Sequence, residues 1–435
     1  MKVLLLLAGR SQRFWPLTEK TLFPVCGKTL LEHQVESLNA AGIKDIILVG
    51  GAHNLPQAHA LLPHLAVAEQ KDLSLGMRGA LLSVLPALKA EPVLIVGGND
   101  IIDPEAFRLL LKTASAKGVA GAILASRVRS YFPGGYLTLE GDRIRSIVEK
   151  PGECKEPSDL VTIVAHVHND PQALMAALEK SGKGNDDGYE RALDLLFKDR
   201  VYRAVPYEGP WHPVKYPWHL LSVLPYFLSR LTPAISNKAT IHRSAVIEGN
   251  VVIEEGAKVM AHASVVGPCF IGKRSVVANN ALVRGSSIGD DCVVGFATEV
   301  KSSVLHSHVW THMTYLGDSI VGRNVSFGAG STTGNLRLDE GVISSVIQGE
   351  DIPTGLVKFG SAIGDNCRFG IRTAMNPGVK IGAGSFVSSG VLLHHDLPDG
   401  SFATMKGGEV LVRPNRSQAP KPESRDGFRA AMEQK

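Results

Sequence analysis

Cysteine is scarce in this chain: Cys26, Cys154, Cys269, Cys292 and Cys367 are odd in number and form no CxxC pair. That leaves no basis for a disulfide framework or a zinc site and points to a reducing compartment, the cytoplasm. Aromatic residues make up only 6% of the chain, and no basic run interleaves with them. Forty-six basic residues against 42 acidic ones give a formal net charge of +4, too little to argue for a nucleic-acid partner by bulk electrostatics. No apolar stretch approaches the ~18 residues of a membrane span, so no membrane partner is expected. The opening run Val3 to Leu7 is too short for a secretory core and lacks a small-residue cleavage site, so it reads as a buried strand. Glycine, in contrast, is plentiful, with 45 residues in 435, a supply suited to a turn-rich β architecture.

Up to about residue 231, short apolar runs alternate with helical patterns. KVLLLLA, DIILVGG (45–51), PVLIVGG (92–98) and GAILASR (121–127) read as strands; LLEHQVESLNAAG, GALLSVLPALKA and AFRLLLKTASAKG between them carry apolar residues at helical spacing. Strands buried on both faces and separated by helices imply an α/β domain around a mostly parallel sheet. The stretch 216–231 reads as a linking helix broken by Pro225.

The second half has a different period. Ile235, Ile241, Ile247, Ile253, Val259, Val265, Ile271, Val277 and Val283 lie six residues apart. A second phase holds Ile288, Val294 and Val300, and a third holds Ile363, Phe369, Met375, Ile381, Val387 and Leu393. A solenoid with every sixth residue inward makes such a pattern, and Gly272, Gly289, Gly364 and Gly382 just after inward residues suit tight corners. This is the hexapeptide β-helix signature, a class whose coil is left-handed. Three parts follow: residues 1–231, a β-helix over 232–413, and a polar tail over 414–435, either loose or a short helix at FRAAMEQK.

Ligands of such α/β sheets sit beyond the strand carboxyl ends. The stretch LLLAGRSQRFWPLTEKTLFPV (5–25) can be an ordinary loop with solvated cations or a turn that holds an anion; it has neither a GK[ST] ending nor a GxGxxG spacing. Leu7-Ala8-Gly9, Arg13, Pro16-Leu17-Thr18, Lys20 and Leu22-Phe23-Pro24-Val25 resemble the signature of the sugar-1-phosphate nucleotidyltransferases, with Ser11 and Gln12 as departures. LSLGMRGAL (73–81) resembles the family's base-holding segment, with Gln70 upstream. VGGNDIID (96–103) is similar to the segment whose Asp binds metal, and VEKP (148–151) to the sugar-binding one. The family's second metal-ligand position falls on Pro213, and Thr162, Ile163 and Val164 replace a sugar-contacting Asn-Ala-Gly.

The resemblance implies a Rossmann-like domain that joins a sugar 1-phosphate, glucose or N-acetylglucosamine 1-phosphate, to a nucleoside triphosphate, UTP foremost, releasing pyrophosphate. By it Ala8, Gly9, Gln70, Gly76 and Gly79 bind the nucleotide. Arg13 and Lys20 neutralise the polyphosphate, Asp100 holds Mg²⁺, and Glu149 and Lys150 take the sugar phosphate.

THMTYLGDSIVGRNVSFGAGSTTGNLRLD (311–339) resembles the acetyltransferase site of the bifunctional enzymes that make UDP-N-acetylglucosamine, the archaeal-type members above all. Acyl transfer to an amine needs the amine neutral, and His is the natural base near neutral pH. By this match His312 is the base, and Arg284, Lys301, Tyr315 and Asn335 bind the amino-sugar phosphate or position the acetyl group. The Ala329 N–H faces the thioester of acetyl-CoA. A downstream Lys of the bacterial relatives is Gly341 here. His306, His308, His394 and His395 lack such context and read as surface residues. The family packs as trimers, so a homotrimer is expected. Two other readings stay open: a nucleotidyltransferase whose coil only trimerises it, and a regulatory subunit that binds nucleotide sugars without turnover.

Overall fold

The computed structural model describes residues 1–182, 187–425 and 427, which form two compact units. The first comprises Met1–Arg10 and Leu30–Pro213, the second Ser11–Thr29 and Val214–Lys435. FRAAMEQK, the expected terminal helix, lies outside the described residues.

In the first unit the apolar run at the N-terminus forms the strand Lys2–Leu6, parallel to both Ile46–Gly50 and Val93–Gly97. The sheet has nine strands in the order 66–69, 46–50, 2–6, 93–97, 160–168, 121–127, 202–206, 143–149, 135–140. It is mixed rather than mostly parallel, because Leu160–His168 runs antiparallel to both of its neighbours in the middle of the sheet. LVTIVAHVH is buried along most of both faces and carries no mark of direction, so its sense follows from the connections alone. On one face Leu4, Ile95 and Ile123 meet Leu81, Leu174, Leu178, Leu193 and Phe197 of three helices. Asp103 and Asp170 start two of the unit's helices by accepting from Glu105 N at 3.0 Å and Ala173 N at 2.9 Å, each with Pro at the first helical position.

The central strand carries two buried histidines. The Tyr189 hydroxyl lies 2.7 Å from His166 Nδ1 and 3.1 Å from His168 Nε2, and His168 Nδ1 reaches the Tyr202 hydroxyl at 2.8 Å. Burial pushes both imidazoles down to about 3. Below the ordinary value of about 6.5 the unfolded chain takes up protons that the folded chain refuses, so each histidine removes stability as pH falls from there toward 3. The pair should cost about 3 kcal/mol between pH 6.5 and pH 5. Urea titrations of the full chain at the two pH values check this, and His168→Gln should remove about half of the dependence.

The second unit is built from parallel β coils. Val265 pairs with Val283, Val283 with Val300 and Val300 with Leu316. The coils thus shorten from 18 residues to 17 and then 16, which produces the breaks of phase between Val283 and Ile288 and beyond. Val321 pairs onward with Ile363 across an insertion that carries the hairpin Ser344–Ile347 with Glu350–Pro353. The six-residue series from Ile253 to Val283 forms the axial core, with Ile241 and Ile247 packed against it. Each fully buried Val or Ile contributes about 1.5–3 kcal/mol by removal from water. Ile235, at the end of the stack, is exposed.

The corner glycines act through close approach. A Cβ at Gly382 would stand 2.2 Å from Asp399 N, and one at Gly289 2.7 Å from the His306 carbonyl carbon. Four of the five cysteines are buried, with thiols pushed up by burial to about 11 at Cys269 and about 12 at Cys26, Cys292 and Cys367.

Pro225 does not break the linking helix. His219–Ser229 runs through it, because Leu220, Val223, Leu224, Phe227 and Leu228 make a buried face that outweighs one missing N–H.

Segment 11–29 packs with the coils. Cys26 N donates to Ser287 Oγ at 2.8 Å, Trp15 Nε1 donates to Asp399 Oδ1 at 3.0 Å, and the Phe23 ring sets edge-on against His306 with centroids 5.6 Å apart. His306 is therefore no surface residue; burial pushes it down to about 4.

Candidate functional site

At the carboxyl end of the first strand, Leu7 O accepts from Asn54 Nδ2 at 2.7 Å, and Gly9 O lies 3.4 Å from His53 Nε2. Asn54 is fully buried and its Oδ1 also accepts from Gly51 N, so the Leu7-Ala8-Gly9 turn is held from beneath. Gln70, Gly76 and Gly79 come together as expected. Gln70 Nε2 donates to Asp72 O and Gly76 O, and a Cβ at Gly79 would meet that same nitrogen at 2.6 Å. Gly76 has φ +53°, a conformation that suits glycine at the helix start. Gln70 Oε1 is buried and finds no partner in the structure, an acceptor available to a donor on a base.

Asp100 stands at the next strand end. Its backbone carbonyl accepts from Gln34 Nε2 at 2.6 Å, and its Oδ1 accepts from Trp211 Nε1 at 2.9 Å. The indole N–H can only donate, so Oδ1 is the acceptor of this bond. Pro213 is the residue directly across the ladder from Asp100. Among the described residues no group of three or more His, Cys, Asp and Glu could hold a metal ion. A single carboxylate fits Mg²⁺ only in the form in which this ion draws its remaining oxygens from a bound polyphosphate and water.

Glu149 and Lys150 pair at 2.9 Å, and Lys150 has φ +45° with its N–H on Gly134 O. The substituted segment closes on the same region: a Cβ at Gly135 would lie 3.1 Å from Thr162 Oγ1, and one at Gly97 3.0 Å from Val164 Cβ and 3.1 Å from Asp100 Oδ2. Arg13 and Lys20 belong to the second unit, Arg13 exposed and Lys20 buried.

On the β-helix, Arg284, Lys301, Tyr315 and Asn335 share one face of the coils. Arg284 pairs across the ladder with Lys301, and Lys301 with Gly317. Lys301 Nζ lies 3.0 Å from Asp318 Oδ2, and Asn335 Nδ2 donates to that oxygen at 2.5 Å and to the Tyr315 hydroxyl at 3.2 Å. Arg284 donates to Glu299 Oε1 at 2.9 and 2.6 Å. A side chain at Gly317 would run into the Tyr315 hydroxyl at 2.4 Å and Asn335 Nδ2 at 2.7 Å.

Asp318 and Glu299 were not expected. Asp318 had a partial signal: 284, 301, 318 and 335 are 17 residues apart, but the coil after Lys301 is one residue shorter, so Asp318 stands one residue past the position in register with Lys301. Half-buried, the Lys301–Asp318 pair is better defined than the more exposed Arg284–Glu299 pair, which contributes about 0–1 kcal/mol.

His312 is exposed on the preceding corner, its ring 6.4 Å from that of Phe296. Thr311 Oγ1 accepts from Gly295 N at 3.0 Å, and a Cβ at Gly295 would collide with Thr311 O at 2.0 Å, so this glycine sets the corner. Ala329 occupies the same corner one coil on, where Gly330 N donates to Met313 O and Ala329 O accepts from Arg372 N.

An α/β sheet with a phosphate-type turn and a strand-end carboxylate, followed by parallel coils bearing a polar column, defines a nucleotidyltransferase-type domain joined to a hexapeptide β-helix. The nucleotidyl transferase family model matches residues 2–214, and that of the hexapeptide repeat of succinyl-transferase matches 268–295 and 362–394. A bifunctional sugar-1-phosphate nucleotidylyltransferase/acetyltransferase of Sulfurisphaera tokodaii is 30% identical over 409 residues, 92% of this chain and 99% of that one. Bifunctional proteins GlmU of Methanococcus vannielii and Methanocaldococcus jannaschii are 27% and 29% identical, each over 95% of this chain and at least 99% of the relative. The chain belongs to the bifunctional sugar-1-phosphate nucleotidylyltransferase/acetyltransferase family. Among the described residues no helix is long and apolar enough to cross a membrane.

Proposed function

We propose that residues 1–231 transfer a nucleotidyl group, UTP being the favoured donor, to glucose or N-acetylglucosamine 1-phosphate. Residues 232–413, on this reading, acetylate an amino-sugar 1-phosphate from acetyl-CoA. The observation that carries the reading is the column of Arg284, Lys301, Asp318 and Asn335 with Tyr315, built on the coils beside the corners of His312 and Ala329.

In the acetyl transfer, His312 takes the ammonium proton of the amino sugar, the freed amine attacks the thioester carbon, the C–S bond breaks, and the proton shed by the acylated nitrogen goes to the departing sulfur, which leaves as CoA thiol. Arg284 and Lys301 meet the sugar phosphate. Asp318 holds Lys301 and Asn335 in place, and Asn335 orients Tyr315. The Ala329 N–H faces the thioester carbonyl.

In the nucleotidyl transfer, Ala8 and Gly9 supply backbone to the phosphates, Gln70 with Gly76 and Gly79 receives the base, and Arg13 and Lys20 neutralise charge. Glu149 accepts from sugar hydroxyls and Lys150 meets the sugar phosphate. Mg²⁺, held by Asp100, would supply further charge neutralisation at the phosphates. We place the chain in the cytoplasm as a homotrimer assembled through the coils, with 414–435 as its tail.

The test is a panel of four nucleoside triphosphates against both sugar 1-phosphates with pyrophosphate detection, beside CoA-thiol release on glucosamine 1-phosphate. Both signals are expected, with UTP strongest. Pyrophosphate without thiol would leave the coils a scaffold. Neither signal, with calorimetric binding of a UDP-sugar, would make the chain a regulatory subunit.

A further inference from the structure

On the coil face next to the polar column, Trp310, Ser326 and Arg368 stand one above another in the ladder. The chain beyond Asn415 returns along this face. Asn415 Nδ2 donates to Gly384 O at 2.9 Å, and Pro420 O accepts from Asn324 Nδ2 at 3.0 Å and from Arg368 Nη2 at 3.4 Å. Arg425 follows, with its Nη2 donating to Ser326 Oγ at 2.7 Å and its guanidinium centre 5.3 Å from the Trp310 ring centroid. Its Nη1 is buried and has no hydrogen-bond partner.

Among the described residues every hydrogen-bond acceptor of the two arginines is neutral. Arg368 donates to Asn324 O and Oδ1, Cys367 O and Pro420 O. Among the described residues no carboxylate forms an ion pair with either guanidinium. Burial, and then the nearby charge of Arg425, push Arg368 down to about 10, and burial lowers Arg425 as well. A tail fastened for stability alone gains nothing from two half-buried like charges and a donor left open; an oxyanion between them would remove both defects.

The position in the fold narrows the ligand. Trp310 lies two residues before His312, and Ser326 three before Ala329, on the same coils. Both substrates of the acetyl transfer carry phosphate. We propose that Arg425, Arg368 and Ser326 form a phosphate-binding site, completed by the C-terminal arm, for the phosphate of one of those substrates. This rests on the acetyltransferase reading for the source of the phosphate, not for the existence of the site.

The experiment titrates inorganic phosphate into the full chain by calorimetry, comparing wild type with Arg425→Gln and Ser326→Ala. Arg425 lies in the arm outside the hydrophobic core, so its replacement leaves the melting temperature and pyrophosphate release unchanged. Phosphate should bind wild type at least 10-fold more tightly than Arg425→Gln, with Ser326→Ala between them. Steady-state kinetics then separates the sources. A KM rise of 10-fold or more for acetyl-CoA alone assigns the site to CoA, with 3′-dephospho-CoA telling its phosphates apart; the same rise for glucosamine 1-phosphate alone assigns it to the sugar. Equal phosphate binding by wild type and Arg425→Gln, with neither KM moved, overturns the proposal. If wild type releases no CoA thiol, the acetyltransferase reading fails, while the phosphate difference still decides the site.

Discussion

His312→Gln should lower the kcat of CoA-thiol release by about 10²–10⁴, the usual worth of a positioned general base. The change is confined to an exposed corner. The backbone there is fixed by Thr311 Oγ1 to Gly295 N and by Gly330 N to Met313 O, and neither bond uses the imidazole. Pyrophosphate release and the melting temperature should therefore match wild type. The split between kinetic constants distinguishes a base from a contact: loss of the base lowers kcat with the KM for glucosamine 1-phosphate little changed. A fall of less than about threefold would take the proton-accepting role away from this residue.

The second large effect is at the front sheet. Asp100→Asn preserves an oxygen for Trp211 Nε1 and the backbone bond to Gln34 but removes the negative charge, and pyrophosphate release should fall by about 10²–10³. Pro213 across the ladder offers no second carboxylate to make up the loss. CoA-thiol release serves as the internal control and should not move. Measuring pyrophosphate release over a range of Mg²⁺ concentrations adds a readout that misfolding would not imitate: the variant should need more of the ion for half-maximal rate.

Much of the coil site is legible in the chain because His312, Tyr315 and Asn335 fall in one unbroken motif and the axial residues repeat every six positions. Asp318 is harder to see. It occupies a corner with φ +48°, and its place in the column depends on a coil of 16 residues, which differs from the 18 and 17 of the earlier turns. The direction of Leu160–His168 is hidden for another reason, since a strand buried on both faces has the same pattern read either way. Pro225 misleads because propensity was outweighed by the apolar face of its helix. Gln70, Gly76 and Gly79 do converge as the family resemblance implied, whereas nothing local indicates that Trp15 and Cys26 find partners 384 and 261 residues further on.

Those two bonds bear on how the molecule is made. Phe14, Leu17, Phe23 and Val25 are buried in the finished chain, yet the surfaces that cover their segment lie near residues 287, 306 and 399 and are synthesised last. During translation this greasy stretch must wait uncovered, at risk of association with other nascent chains, until nearly the whole polypeptide has left the ribosome. Gene fusion and exchange between the two halves are constrained accordingly: an N-terminal half transplanted onto foreign coils would carry a segment with nowhere to dock.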